Sequence, residues 1–185
     1  METAAKRSGL LTPYLQSRRI AVARPFLTGR VLDVGCNVGA LTELVPDDRY
    51  VGVDIDDEIL TDARRQHPDH RFMHVDEIDP AERFDTVVSL AVIEHVSDPV
   101  GWLNRWSSHV TTRGRMVLTT PHARWEPLHG FASKLRLTSI EAHDGHESVL
   151  DRPALERLIE VVGLRLVTYR RFLGGMNQLV VAERP

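Results

Sequence analysis

The stretch Val31-Leu32-Asp33-Val34-Gly35-Cys36-Asn37-Val38-Gly39 carries most of the information in this sequence. Arg30 to Val34 is a short, mostly apolar run, the pattern of a strand buried on both faces. It ends at Gly35, where a glycine lets the chain turn sharply and lets the backbone approach a ligand closely. A helix is expected to begin near Val38 and to stop before Pro46-Asp47-Asp48. A second strand is expected over Tyr50-Val51-Gly52-Val53, with Asp54 at its tip, 19 residues beyond Gly35. A carboxylate in that place can accept hydrogen bonds from both hydroxyls of a ribose.

Two classes of nucleoside cofactor compete for this geometry. A dinucleotide fingerprint needs G-x-G-x-x-G, and the chain offers Gly35, Asn37 and Ala40 there, so two of the three glycines are missing. The pair Gly35 and Gly39 instead suits a phosphate-free nucleoside with an amino-acid tail. Asp33 points the same way, because a carboxylate repels a pyrophosphate and attracts the amine of a methionine. S-adenosylmethionine is the better fit.

Outward from this loop, short β-like runs alternate with helical periods, the pattern of an α/β fold around a parallel sheet. Residues 1–28 form an N-terminal helical cap, with an amphipathic stretch from Tyr14 to Leu27. Asp56, Asp57 and Glu58 mark a helix start that must end by His67-Pro68. A short strand follows around Arg71 to Val75, then one from Phe84 to Leu90, with room for one helical turn at most between them. Asp98-Pro99 opens another helix, whose apolar face is Val100, Leu103, Trp106 and Val110. A fifth strand runs from Gly114 to Thr120. The last helix carries Leu155, Leu158, Ile159 and Val162 and closes at Gly163, before strands at Leu164 to Tyr169 and Gln178 to Ala182. Residues 121–150 lack periodicity and hold Trp125, Phe131, His122, His129, His143 and His146. A loop that long is read as a lid or substrate segment.

The 185 residues make one domain, 1–185. With 42% hydrophobic and 26% charged residues, wholesale disorder is excluded. The charge of −3 gives no global basic field, so nucleic acid is a disfavoured partner. The single cysteine, Cys36, allows neither an internal disulfide nor a Cys-rich zinc site, and reads as a small buried residue. No apolar run is long enough for a membrane span, and no h-region follows Lys6 and Arg7. The expectation is a cytoplasmic protein with no membrane partner.

Taken in order, VLDVGCNVG (31–39), YVGVDID (50–56), FDTVVSLAVIEHVSDP (84–99), RMVLTTP (115–121) and the closing L-x-x-L-I-x-x-x-G-L from Leu155 resemble class I S-adenosylmethionine-dependent methyltransferases. The V-I-E-H-V-x-D-P segment is similar to ubiquinone-biosynthesis O-methyltransferases and small-RNA 2′-O-methyltransferases. The resemblance implies a Rossmann-like, mostly parallel seven-stranded sheet of order 3-2-1-4-5-7-6 with helices on both faces. It also implies that Asp33, Gly35 and Gly39 line the methionine end and floor of the cofactor site. Asp54 would hold the ribose and Ile55 the adenine face. Asp76 would reach the adenine amine, the Glu77 backbone a ring nitrogen, and Ser89 and Leu90 the sulfonium. Asn37 departs from the family's central glycine but tolerates left-handed backbone.

The implied reaction is methyl transfer to a small-molecule acceptor, a hydroxyl by preference. His95, after Glu94, is the first candidate to take the hydroxyl proton or position the substrate, and His122 the second. Arg18 and Arg19 read as a solvated helix face, with contact to the cofactor carboxylate as the alternative. Relatives with the E-x-x-E-H signature use it to bind a divalent ion. Here Ala91 replaces the first acid, so no metal is expected. A non-catalytic cofactor-binding partner or sensor module is the competing reading, and RNA ribose methylation a further one.

Overall fold

The computed structural model describes residues 12–122 and 150–185. The inner part of the expected lid, with Trp125, Phe131, His129, His143 and His146, lies outside the described residues, as do the first eleven residues of the cap. The elements are α1 (Thr12–Ala23), β1 (Val31–Val34), β2 (Tyr50–Asp54), α2 (Asp57–Gln66), β3 (Arg71–His74), β4 (Phe84–Leu90), α3 (Pro99–Ser108), β5 (Val110–Pro121), α4 (Arg152–Val161), β6 (Arg165–Phe172) and β7 (Asn177–Glu183).

All seven strands form one sheet in the order β3-β2-β1-β4-β5-β7-β6. Every pairing is parallel except those of β7, which runs antiparallel to both β5 and β6. Side chains alternate between faces, and two apolar cores follow from that. Leu32, Val34, Val51, Val53, Val87 and Met116 pack with Leu103 and Trp106 of α3 and with Leu155 and Ile159 of α4. Val31, Tyr50, Val88 and Val117 pack on the other face with Val22 and Ala23 of α1 and with Leu60 and Ala63 of α2. Helices therefore cover both faces, as a buried parallel sheet requires.

The helix starts follow their caps. Asp56 accepts hydrogen bonds from the Glu58 and Ile59 N–H groups, Asp98 from Gly101 N–H, and Asp151 from Ala154 N–H. A left-handed Gly163 (φ 73°) follows α4 and ends it.

The structure corrects one expected element. The segment from Asn37 to Val45 is a chain of turns, not a helix beginning near Val38. Asn37 (φ 50°) and Gly39 (φ 86°) are both left-handed, which breaks helical propagation at its start. The Thr42 hydroxyl and N–H both bond Gly39 carbonyl, and Pro46 bars a helical continuation. Smaller differences lie elsewhere. α1 ends at Ala23, with a tight turn at Arg24–Phe26. β5 begins at Val110, so Val110 belongs to the sheet rather than to the face of α3. Val100 is exposed.

Two substitutions separate cap from core. Asp98→Ala is expected to cost about 1 kcal/mol of unfolding free energy, and Trp106→Ala, which empties a fully buried site, about 3–5 kcal/mol. Urea unfolding monitored by circular dichroism measures both.

Candidate active site at the carboxyl edge of the sheet

The parallel strands β1, β2 and β4 deliver their carboxyl ends to one edge, where the loop after β1 is held by β2. Gly35 and Cys36 N–H groups donate to the Val53 carbonyl at 2.9 and 3.1 Å. Asn37 N–H donates to Asp54 Oδ2 at 3.0 Å, and Asp54 Oδ1 accepts from Ile55 and Asp56 N–H groups. Val38 N–H is taken by the Asn37 side chain and Gly39 N–H by the Cys36 carbonyl. Every backbone donor from 35 to 39 thus has an acceptor within the protein. With no helix following the loop, there is neither a ring of free N–H groups nor a helix N-terminus to receive a pyrophosphate. Of the four acceptor directions on Asp54, one on Oδ2 remains for a ligand hydroxyl.

The two glycines face different neighbours. A Cβ at Gly35 would lie 2.5 Å from Val92 Cγ2, in the loop after β4. One at Gly39 would meet Phe72 at 2.8 Å, so Gly39 packs beneath the loop rather than facing outward.

Register places Asp33 beside Gly52 of β2 and Val88 of β4. Asp33 is buried and accepts a hydrogen bond from the Tyr50 hydroxyl at 2.9 Å. Burial pushes its carboxyl up from 3.8 to about 7, against the lowering effect of the Tyr50 bond, and the nearby Asp54 charge adds to the rise. Burial likewise drives the Cys36 thiol upward, which fits a packed residue and not a nucleophile.

The other expected cofactor residues spread along the same edge. Ile55 is 76% exposed, an open apolar surface just past β2. Asp76 is exposed and bonds Arg105 of α3 at 3.1 Å. The Glu77 carboxylate accepts from His74 N–H and the Glu77 N–H donates to the His74 carbonyl at 2.9 Å, which closes the turn after β3 and spends the backbone donor expected to read an adenine nitrogen. Ser89 is buried and spends its hydroxyl on the Val34 carbonyl, while half-buried Leu90 ends β4. Ala91 next to it is left-handed (φ 62°), an uncommon conformation for a residue with a Cβ.

Beyond β4 lies a polar cluster that local sequence patterns did not disclose. Glu94 accepts a hydrogen bond from the Thr120 hydroxyl at 3.1 Å. Burial raises its carboxyl, while the charges of His95 and Arg19 act to lower it. Arg19 donates from Nε to Asn177 Oδ1 at 3.2 Å, and burial lowers its guanidinium. Arg18 is exposed, so the pair of arginines divides, one to solvent and one inward. His95 is exposed on the turn Ile93–His95, and His122 is buried after β5 with its N–H on the Met176 carbonyl. The Gln178 amide donates to both the Pro121 and Leu150 carbonyls, which pins the two ends of the 121–150 segment at one side chain.

Asp33 binds its proton more tightly in the folded chain than in the unfolded one. For this group, stability therefore falls as pH rises from about 4 to about 7 and is level beyond. Asp33→Asn is expected to flatten that slope in denaturant unfolding measured across this range. An unchanged slope would assign the proton elsewhere.

Comparison with known proteins places this edge in context. The chain is 36% identical over 105 residues to a ubiquinone biosynthesis O-methyltransferase of Bradyrhizobium diazoefficiens, and 36% identical over 107 residues to one of Rhodopseudomonas palustris strain TIE-1. Each match covers 52% of this chain and 42% of the relative, so it spans less than half the length of those proteins. Among solved structures, the methyltransferase in the Haloferax volcanii complex with the Trm112 activator superposes with TM-score 0.73 at 14% identity, covering 94% of this chain and 92% of that one. Magnesium protoporphyrin IX methyltransferase from Synechocystis, solved with S-adenosylhomocysteine, gives TM-score 0.65 at 18% identity, with 94% and 83% covered. These structures share the fold. The family profile described as a methyltransferase domain matches residues 7–169, and on that match the chain belongs to the methyltransferase domain family.

Proposed function

We propose that the chain transfers a methyl group from S-adenosylmethionine to a hydroxyl of a small-molecule acceptor. The observation that carries this reading is the loop after β1, whose N–H groups are all spent internally while Asp54 keeps an acceptor free for a ribose hydroxyl. That donor set suits a nucleoside without phosphates. The relatives named as O-methyltransferases support a hydroxyl acceptor.

When bound, S-adenosylmethionine supplies a methyl on a sulfonium, already activated for in-line displacement. The protein's task is then to align the acceptor and exclude water. Asp54 holds the ribose, and exposed Ile55 packs on the adenine face, with Asp76 reading its polar edge. Asp33, with Gly35 and Gly39 setting the loop above it, supplies negative charge for the methionine amine. Ser89 and Leu90 close the floor at the tip of β4. The acceptor enters at the same edge, beside α1.

His95 takes the hydroxyl proton, and His122 is the second candidate for that role. The charges of Glu94 and His95 interact. Thr120 fixes the Glu94 carboxylate in place.

Incubation with methyl-labelled S-adenosylmethionine and a panel of phenolic and aliphatic alcohols tests the reaction. The expected product carries the label on oxygen. His95→Ala should lower kcat by about 10²–10⁴-fold with cofactor affinity unchanged. Equal turnover in wild type, His95→Ala and His122→Ala would remove both histidines from proton transfer. Cofactor binding with no labelled acceptor would favour the sensor reading.

A further inference from the structure

At the opposite, amino edge of the sheet lies a cavity of about 570 Å³, within the roughly 300–1,000 Å³ range of small-ligand pockets. It opens beside the first residues of β5, between Arg83, which precedes β4, and Arg184, which follows β7. Since β5 lies between β4 and β7 in the sheet, the two arginines flank it from either side.

Among the described residues, both guanidinium groups are bonded only to neutral backbone oxygens. Arg83 donates to the Pro80 and Glu82 carbonyls at 2.7 and 3.1 Å. Arg184 donates to the Ser107 carbonyl, and its Nε has no acceptor among the described residues. Neither has a carboxylate within ion-pair distance among the described residues, nor do Arg113 and Arg115 on β5. Of the acids near the cavity, Glu82 is paired with Arg30 and Arg71, Glu183 with Arg165, and Asp85 accepts from Arg30 N–H and the Thr111 hydroxyl. In a chain of net charge −3, where acids outnumber bases, four unpaired arginines at one edge form a local excess of positive charge. A buried donor without a partner calls for an acceptor that the protein itself does not supply.

We propose that this cavity binds a phosphate monoester, with the phosphate held between Arg83 and Arg184. The planar guanidinium fork matches phosphate oxygens, and a phosphate has enough oxygens to meet two forks at once, where a carboxylate meets one. The two charges balance a group carrying about −1.5 to −2 at pH 7. Exposed Asn104 and Thr112, which also line the cavity, add neutral donors. β4 has seven residues, about 20 Å at roughly 3.3 Å per residue, so this site is separate from the carboxyl edge. It would serve a second ligand, not the methyl acceptor.

Titration calorimetry at fixed ionic strength in chloride tests this on the full chain, with inorganic phosphate, glycerol 3-phosphate and glycerol as probes, none of which carries the nucleoside that the carboxyl edge suits. Phosphate and glycerol 3-phosphate are expected to bind and glycerol not. Arg184→Gln and Arg83→Gln should each weaken binding at least about tenfold, with thermal unfolding midpoints near that of the wild type. Should Arg184→Gln fail to fold, exposed Arg83→Gln still decides the matter. Absence of phosphate and glycerol 3-phosphate binding in the wild type, equal affinity in the folded variants, or glycerol binding as tightly as glycerol 3-phosphate would overturn the proposal.

Discussion

One carboxylate organises the carboxyl edge. Asp54 receives three backbone N–H groups, from Asn37, Ile55 and Asp56, and so ties the loop after β1 to the tip of β2. Charge-assisted bonds of this kind are roughly twice as strong as neutral ones. They hold Asn37 in a left-handed conformation that a glycine would adopt without help. Of the loop's remaining donors, Gly35 and Cys36 N–H turn to Val53, Val38 N–H to the Asn37 side chain and Gly39 N–H to the Cys36 carbonyl, so its outer surface is left with few polar hydrogens. A nucleoside with hydroxyls suits such a surface, and a pyrophosphate does not.

Beneath the loop, the sheet carries a second polar contact that an apolar core would not need. Asp33 and Tyr50 are paired across β1 and β2, both buried, above Phe72, His67 and His70. Gly52 makes room for this arrangement, since a Cβ there would lie 2.7 Å from Phe72 and 2.9 Å from Cys36 Sγ. Burying a carboxyl is costly unless it is hydrogen-bonded or neutral. Asp33 is placed to be both, and a cationic ligand overhead would favour its charged form.

Much of this was legible in the sequence because the deciding signals are local. Asp98-Pro99 and Asp151 mark helix starts through contacts three residues away, and continuous apolar runs mark strands buried on both faces. The strand order came from the resemblance carried by the ordered motifs. The segment after Gly35 misled because its composition is compatible with a helix. Only the left-handed backbone at Asn37 and Gly39 excludes it. The Arg19, Glu94, Thr120 and Asn177 cluster was not legible for a different reason. Arg19 and Asn177 are 158 residues apart and meet only after the sheet has assembled. Nothing within one helical turn of Arg19 distinguishes it from its solvated neighbour Arg18. A sheet that reverses direction at β7 brings Asn177 back to the edge where β4 and β5 end, and that reversal creates the contact.

Titration calorimetry with S-adenosylhomocysteine and, separately, with NAD measures the character of the carboxyl edge directly. One S-adenosylhomocysteine per chain is expected, lost in Asp54→Ala, with no heat from NAD. Binding of NAD without S-adenosylhomocysteine would contradict a loop built for a phosphate-free nucleoside.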